Sequence, residues 1–349
     1  MRPLPPGIYT PLPTFFDDQE ELDLASFRKH VAFIAEAGTV PVIAGSMGEA
    51  CHLEAWERDV LVRSAREVLD QNPATSDVPI VVGVGSPSTR ETVKLAIGAA
   101  AAGADFVMVI PPGYYGSVLR QDNMLAVKRY MVDVSNASPS PVIVYNFPAL
   151  AGGIDITSEL VVEMVKDGPN ICGIKLTCAD VAKLSRIDAV MRDADFQQDY
   201  PRRFHGTAEG REAIPYFSAI DGFIDILLPS VSVGAVGAIS GLPNIAPRVC
   251  VKLWNLCEES KMSSGKREEA RRLQDVINAA DYVVKPVGVS GMKYLLSKQF
   301  GYGASPRRPL LPYDVPSAQR AERLLKDPGL AKVLELERRL CSSIEDAKL

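Results

Sequence analysis

The chain has 349 residues, of which 47% are hydrophobic and 23% are charged, and its formal net charge is −5. This size suits one large α/β domain with an extension, or two domains. No basic patch or arginine-rich run indicates a nucleic-acid partner, and no apolar run reaches the roughly 18 residues that a membrane helix needs. We therefore expect neither nucleic acid nor a membrane as a partner. The start, MRPLPPGIYT, lacks an apolar signal core, so secretion is not expected.

The cysteines and histidines are scattered along the chain. No two cysteines form a C-x-x-C pair, so we expect reduced intracellular thiols at Cys51, Cys172, Cys178, Cys250, Cys257 and Cys341. The histidines, His30, His52 and His205, form no H-x-x-x-H or H-x-H arrangement, which argues against a zinc site built on histidines. We expect no metal ion and no other cofactor, and we interpret His52 as a residue at the entry to a helix.

Short β-rich runs alternate with helical stretches along the first half of the chain. Strands are predicted over 9–16, 40–46, 78–85, 105–110, 140–146 and 171–175. Amphipathic helices are predicted over 23–38, 54–70, 88–104, 121–135, 157–168 and 180–193. Ser88 or Thr89 suits the N-cap of the third helix. The strands are continuous apolar runs, as in parallel strands that are covered on both faces.

Two further strand–helix units would complete a barrel. We assign strand seven to 215–220 with its helix over 222–234, and strand eight to 234–240 with its helix within 244–260. An open doubly wound sheet is the alternative, but it usually has fewer strands and a glycine-rich phosphate turn after the first one. No such turn is present, so we predict an α/β fold of the (β/α)8 TIM-barrel type.

The predicted barrel occupies residues 1–250. The segment 194–214 fits neither strand nor helix well, and we treat it as an insertion before strand seven. Residues 251–349 form a C-terminal helical region, in which 265–300 and 315–345 are predicted helices separated by the Pro/Gly/Arg-rich stretch GYGASPRRPLLP.

The active site of a TIM barrel lies at the C-terminal ends of its strands. Strand two ends in GSMGEA, strand four runs into PPGYYG, strand five ends in YNFP, and strand six ends at Lys175 with Thr177 close behind. Taken alone, a lysine at a strand end is most simply a surface residue. In an apolar barrel mouth, however, burial disfavours the charged form of an amine, and a neutral amine can attack a carbonyl to form a Schiff base. A tyrosine linked to a serine hydroxyl could then move the proton without a histidine.

Four motifs carry a resemblance to a known family. They are GSMGEA, VYNFP, GIKLT and GAVGAISGLPNIAP, and they occur in this order at the ends of predicted strands. On these motifs the chain resembles the dihydrodipicolinate synthase / N-acetylneuraminate lyase family of class I, pyruvate-dependent aldolases, over about residues 7–312. Within that family it is most similar to the branch of 4-hydroxy-2-oxoglutarate aldolase and fungal 2-keto-3-deoxy-L-galactonate aldolase. The PPGYYG turn and the start GIYTPLPTFF favour this branch.

The resemblance implies a role for each of four catalytic residues. Lys175 would form the Schiff base, and Tyr145 would be the general acid/base at the scissile carbon–carbon bond. Ser46 would link the proton relay, and Tyr115 would complete the relay in a neighbouring subunit. The resemblance accordingly implies a homo-oligomer, and a homotetramer arranged as a dimer of dimers is expected.

The resemblance also implies a set of substrate-binding residues. The backbone N–H groups of Ser46 and Met47 would hold the pyruvate carboxylate, since a glycine turn at a helix entry suits an anion. Thr177 would face the aldehyde portion of the substrate. Gly222 and Ile239 match positions that line the pocket, although plain packing also explains both.

Two departures from the family's pattern bear on the substrate. The synthase branch carries an arginine shortly after Y-N-x-P, which holds a distal carboxylate in a bidentate grip. This chain has Ala149, Leu150 and Ala151 there. Met47 stands where the family has a second hydroxyl residue. Both departures favour an aldehyde that carries hydroxyl groups and no second carboxylate.

The predicted reaction is the cleavage of a 2-keto-3-deoxy or 4-hydroxy-2-keto acid to pyruvate and an aldehyde by a class I aldolase, a carbon–carbon lyase. A dehydratase or a dihydrodipicolinate synthase-type condensing enzyme of the same family is the alternative. A third interpretation is a barrel that binds a ligand without turnover. The joint presence of Lys175, Tyr145 and Ser46 argues against it, because binding alone needs no proton relay.

The last three residues are Ala347, Lys348 and Leu349. A small residue, a basic residue and leucine at the C-terminus resemble the S-K-L address of peroxisomal proteins. We therefore expect a peroxisomal location, with the cytoplasm as the alternative.

Overall fold

The computed structural model describes residues 2–203, 215–261 and 263–346. Within these ranges eight parallel strands close into a barrel in chain order, and β8 pairs with β1. The strands are β1 (Gly7–Pro11), β2 (Val40–Ile43), β3 (Val81–Gly83), β4 (Phe106–Val109), β5 (Val142–Asn146), β6 (Ile171–Leu176), β7 (Ser218–Asp221) and β8 (Gly237–Ile239). The closed parallel sheet confirms the predicted TIM barrel.

Helices follow the strands and continue beyond the barrel. They are α1 (Leu24–Glu36), α2 (Ala55–Gln71), α3 (Thr89–Ala102), α4 (Gly116–Leu119), α5 (Leu125–Ala137), α6 (Ser158–Asp167), α7 (Val181–Met191), α8 (Ala194–Asp199), α9 (Leu227–Ser232), α10 (Pro247–Ser260), α11 (Ser264–Val284), α12 (Gly288–Phe300), α13 (Ala318–Leu325) and α14 (Pro328–Asp346). Ser88 caps α3 as predicted, because its side chain accepts a hydrogen bond from the Glu91 N–H. Across the described ranges, none of these helices is both long and apolar enough to span a bilayer.

The strands are apolar on both faces because each face contacts a different part of the core. One face of the strands contributes to a small cluster that fills the barrel and includes Tyr9, Val42, Phe106 and Ile143. The other face packs against the surrounding helices in a much larger cluster. Continuous apolar runs are therefore the sequence signature of this two-sided burial.

The segment between α7 and β7 differs from its prediction. Its first six residues form α8, and the signal for this helix is Asp193, whose side chain accepts a hydrogen bond of 2.8 Å from the Phe196 N–H. Asp is a favoured N-cap residue, so the expectation of no helix anywhere in 194–214 is wrong for these six positions. Residues 204–214, with His205, lie outside the described residues.

The barrel's last units are shorter than predicted. β7 begins at Ser218 and α9 at Leu227, so the residues after Asp221 form a loop at the barrel mouth and do not form the start of a helix. In β6 the pairing with β5 skips Cys172, and this bulge precedes the residue pair Tyr145 and Lys175. An extra residue in one strand changes which side chains face inward beyond it.

The C-terminal helices pack beside and over the barrel. The boundary predicted between the barrel and the C-terminal region, residue 250, lies inside α10, which crosses it without a break. α11 packs against both α10 and α14. The predicted helix over 265–300 is divided by a 3-10 turn at Lys285–Val287 that contains Pro286. Proline lacks an N–H group and clashes with the preceding helical turn, which explains the break. The turn redirects the chain so that α12 lies against the turn that follows β2.

Candidate active site

A cavity of about 140 Å³ opens at the C-terminal ends of the strands. Seven of the eight residues predicted for the site line it: Ser46, Met47, Tyr145, Lys175, Thr177, Gly222 and Ile239. These residues come from the ends of β2, β5, β6, β7 and β8. The barrel therefore brings together side chains that are far apart in the sequence, at the rim where TIM-barrel enzymes carry out their chemistry.

Lys175 and Tyr145 are direct neighbours across two strands. They are paired in the register of β5 and β6, and both side chains line the cavity. The Lys175 Nζ lies 4.2 Å from the centroid of the Tyr145 ring. A parallel ladder fixes this spacing, so the amine and the phenol are held together by backbone geometry.

Lys175 differs from the other buried lysines in its partners. Lys183 forms an ion pair of 2.5 Å with Asp155, and Lys293 forms one of 2.6 Å with Glu49. Lys175 is 6% exposed, yet no carboxylate of the described residues lies within ion-pair distance of its amine. The barrel thus buries a lysine beside a tyrosine in a cavity without supplying a counter-ion.

The turn after β2 presents two backbone donors. Ala44 has a left-handed φ of 50°, and the turn ends at Glu49 with a φ of 55°. Within the described part of the chain, the N–H groups of Ser46 and Met47 donate no hydrogen bond to the protein. Successive unbonded N–H groups in a turn with left-handed residues form a concave site that suits an anion.

Gly83 allows this turn to adopt its conformation. A Cβ atom at position 83 would lie 2.1 Å from the carbonyl oxygen of Ala44. Any other residue there would push β3 away from the end of β2.

The Glu49 side chain holds the turn after β2 against residues of the C-terminal region. Its Oε1 accepts a hydrogen bond of 2.6 Å from Lys293, and its Oε2 accepts one of 2.9 Å from the Arg307 N–H. His52 also contacts Glu49, with 3.0 Å between Nδ1 and Oε2. Burial lowers the pKa of Lys293, while Glu49 acts to raise it. Glu49 therefore joins the C-terminal region to the turn that carries Ser46.

Thr177 and Gly222 meet where β6 and β7 end. The Thr177 hydroxyl is buried and has no hydrogen-bond partner in the described ranges. The Gly222 N–H donates to the Leu176 carbonyl over 2.8 Å. A Cβ atom at position 222 would lie 2.2 Å from Thr177 Oγ1. Gly222 is thus required for the chain to pass this close to Thr177.

The C-terminal region contributes cavity residues that the sequence analysis missed. Asp281 and Val284 of α11, Lys285 after it, and Met292 of α12 all line the cavity. Burial raises the pKa of Asp281 to about 7, with Asp225 acting in the same direction and Lys285 opposing both. The available signal was a carboxylate on the apolar stripe of α11, which also includes buried Ile277 and Val284.

Tyr115 does not line the cavity of its own chain. Its side chain is 64% exposed and stands at an angle of 86° to the ring of Tyr114, which is 84% exposed. Val118, on the short helix α4, is exposed beside them. The structure therefore places seven of the predicted residues together and leaves Tyr115 on the surface.

The fold and this cavity are those of a (β/α)8-barrel enzyme with its site at the C-terminal rim. The chain belongs to the dihydrodipicolinate synthetase family, whose profile matches residues 4–196. This membership confirms the family resemblance found in the sequence.

Several relatives extend the similarity over nearly the whole chain. A protein of Emericella nidulans named "Probable 4-hydroxy-2-oxoglutarate aldolase, mitochondrial" is 37% identical over 97% of this chain and 98% of its own. The L-threo-3-deoxy-hexylosonate aldolase of Aspergillus niger is 33% identical over 93% of this chain and 95% of its own.

Solved structures show the same architecture. A dihydrodipicolinate synthase family protein from Coccidioides immitis has a TM-score of 0.78 at 32% identity, with 97% of this chain and 99% of that one covered. A prophage protein of the family from E. coli K12, solved in complex with pyruvate, has a TM-score of 0.72 at 27% identity. That match covers 96% of this chain and 98% of the other.

The Glu49–Lys293 ion pair yields a stability prediction. Lys293→Met should lower the free energy of unfolding by about 3–5 kcal/mol, because a buried carboxylate is left without its partner. Lys183→Met is the matched control, since Lys183 is also buried but its partner Asp155 is 52% exposed and water can solvate it. We expect a much smaller loss there. Urea unfolding measures both, and equal losses would contradict the role of the buried pair.

Proposed function

We propose that the protein is a class I aldolase in which Lys175 forms a Schiff base with a 2-keto-3-deoxy or 4-hydroxy-2-keto acid. The protein is a carbon–carbon lyase of its family and yields pyruvate and an aldehyde. The observation that carries the proposal is the position of Lys175: it is buried without a carboxylate partner, in the cavity, against Tyr145. No cofactor is part of the proposed mechanism.

The proposed reaction begins at the C2 carbonyl of the keto acid. The Lys175 amine attacks this carbon, water leaves, and an iminium forms. The Tyr145 phenol passes its own proton to the Ser46 hydroxyl as it takes the proton of the C4 hydroxyl, the C3–C4 electron pair moves toward the iminium to give an enamine, and the aldehyde departs. C3 then takes up a proton that returns through the same relay, and water hydrolyses the iminium to release pyruvate and the free lysine.

The carboxylate of the keto acid is proposed to bind at the turn after β2. The N–H groups of Ser46 and Met47 support this assignment, because both residues line the cavity and neither N–H group has an acceptor among the described residues. Thr177, Gly222 and Ile239 are proposed to line the other end of the substrate. The Ser46 hydroxyl would pass the proton between Tyr145 and the Tyr115 of a neighbouring subunit.

The aldehyde is proposed to carry hydroxyl groups. Ala149, Leu150 and Ala151 follow YNFP and offer no positive charge for a second carboxylate. The relative from A. niger is named for a 3-deoxy-hexylosonate, whereas the relative from E. nidulans is named for 4-hydroxy-2-oxoglutarate. A dehydratase or a condensing enzyme of the same family would not release pyruvate, so coupled detection of pyruvate separates these alternatives.

Trapping with pyruvate and borohydride tests the Schiff base. We expect one covalent adduct per chain on Lys175 by intact mass and peptide mapping, and no adduct in Lys175→Ala. Tyr145→Phe is the informative second variant: it should still form the adduct but lose about 10²–10⁴-fold in turnover, because a general acid/base is missing. An adduct on another lysine, or near-normal turnover in Tyr145→Phe, would contradict the assignment.

A shared site between subunits is proposed for Tyr115 and is tested by complementation. The exposed Tyr114–Tyr115 pair supports it, since large exposed aromatic side chains favour an interface. Tyr115→Phe and Lys175→Ala should each be inactive alone, and mixed oligomers should regain activity. If mass analysis confirms tetramers that contain both variants and no activity returns, Tyr115 either acts in the site of its own chain or takes no part in the reaction.

A peroxisomal location is proposed from Ala347, Lys348 and Leu349, which lie outside the described residues. The relative from E. nidulans carries the word mitochondrial in its name, so a mitochondrial location is the competing outcome. A fluorescent protein with the last twelve residues should become punctate with a peroxisomal marker, and deletion of Leu349 should disperse it. Mitochondrial or diffuse signal from the full-length protein would overturn the proposal.

A further inference from the structure

The end of α11 lies over the side of the cavity that is formed by β6 and β7. Asp281 lines the cavity one helical turn before Lys285, whose N–H donates to the Asp281 carbonyl. The Lys285 Nζ lies 4.8 Å from the ring centroid of Phe223. Phe223 follows Gly222, which contacts Thr177. Asp281 therefore lies near the loop that follows β7, which begins beside Thr177.

Asp281 is a buried carboxyl group for which the described residues supply no hydrogen-bond donor. It is 3% exposed, and its Oδ2 forms no hydrogen bond within the described ranges. The nearby Lys285 does not neutralise it, because Lys285 forms its ion pair of 2.6 Å with Asp225. Thr177 also lines the cavity, and its Oγ1 is a second buried oxygen without a hydrogen-bond partner among the described residues. Two such atoms on residues that line one cavity call for an explanation, since buried polar groups in proteins are nearly always hydrogen-bonded.

The chemistry of Asp281 suits hydroxyl groups. Burial, and after it Asp225, raises the pKa of Asp281 to about 7, while Lys285 acts to lower it. Near neutral pH the group therefore exists both as an acid and as a carboxylate. Each form can hydrogen-bond a hydroxyl, which donates as well as accepts. A second carboxylate on the substrate would instead meet like charge whenever Asp281 is ionised.

We propose that Asp281, together with Thr177, hydrogen-bonds the hydroxyl groups on the aldehyde half of the substrate and so determines which aldehydes the enzyme accepts. The inference rests on the proposed aldolase function. It assigns part of aldehyde recognition to the C-terminal helical region, whereas the residues proposed to hold pyruvate belong to β6 and to the turn after β2.

The test uses the condensation of pyruvate with two aldehydes of equal carbon number. Glyceraldehyde carries two hydroxyl groups and propanal carries none, and glyoxylate serves as the carboxylate-bearing acceptor. Asp281→Leu should lower kcat/KM for glyceraldehyde by about 10–100-fold, the worth of a hydrogen bond to a buried charged or polar group. The value for propanal should change by less than about three-fold. Asp281→Asn, which keeps a donor and an acceptor, should retain most of the preference for glyceraldehyde.

Two further measurements distinguish a role of Asp281 in aldehyde recognition from a role in the stability of the fold. Asp281→Leu should not lower the Tm, because it removes a buried polar group that has no partner to lose. Asp275→Leu, an exposed position on the same helix, is the matched control and should leave both acceptors unchanged. Borohydride trapping of pyruvate on Lys175 should proceed normally in every variant.

The proposal is overturned if Asp281→Leu leaves the glyceraldehyde-to-propanal ratio unchanged, or if Asp281→Leu lowers activity with both acceptors equally. If the wild-type enzyme forms no pyruvate adduct at all, the aldolase function itself fails, and that result is distinct from the failure of Asp281. A variant whose glyoxylate activity rises as its glyceraldehyde activity falls would support the exclusion of a second carboxylate by the same group.

Discussion

The buried ion pair between Glu49 and Lys293 is the interaction on which the cavity depends. Its two side chains are 1% and 0% exposed and lie 244 positions apart in the sequence. Removing either partner would leave a charge in a medium that solvates it poorly, so the pair strongly favours one docking of α12 against the β2 turn. That docking holds the turn that carries Ser46 and Met47, and it also places Met292 on the cavity wall.

The closed sheet supplies the second constraint. Side chains alternate between the two faces of each strand, so only every other residue can enter the barrel. Register then pairs Tyr145 with Lys175, and Lys175 with Ile220. Because Lys175 and Tyr145 lie on adjacent paired strands, their amine and phenol groups are held close together without the help of a flexible loop. The skip at Cys172 sets this register, because without it the inward positions of β6 would shift by one residue.

The barrel and most of the cavity residues at the strand ends could be predicted from the sequence. The cavity residues that come from the C-terminal helices could not. Continuous apolar strands and motifs at their ends led to Lys175, Tyr145 and Ser46, since the chemistry at strand ends is local in sequence. Asp281 is marked in the sequence only as a carboxylate on the apolar stripe of α11. That pattern does not predict its contact with the cavity, because the contact depends on how α11 packs on the barrel. Helix α8 was missed although Asp193 is an N-cap signal, because the remaining composition of the segment is polar.

The cavity has two parts that are built by different physical means. The positions of Lys175 and Tyr145 follow from strand register, and they cannot change without breaking ladder hydrogen bonds. Around Asp281 the positions follow from side-chain packing of a helix outside the barrel, so a substitution there alters polarity without moving the amine or the phenol. A chain organised in this way can keep the carbon–carbon chemistry constant while the recognition of the departing aldehyde is set by a single helix. Thr177 and Asp281 both line the cavity, and their oxygen atoms that lack a hydrogen-bond partner in the described part of the chain mark where that recognition takes place.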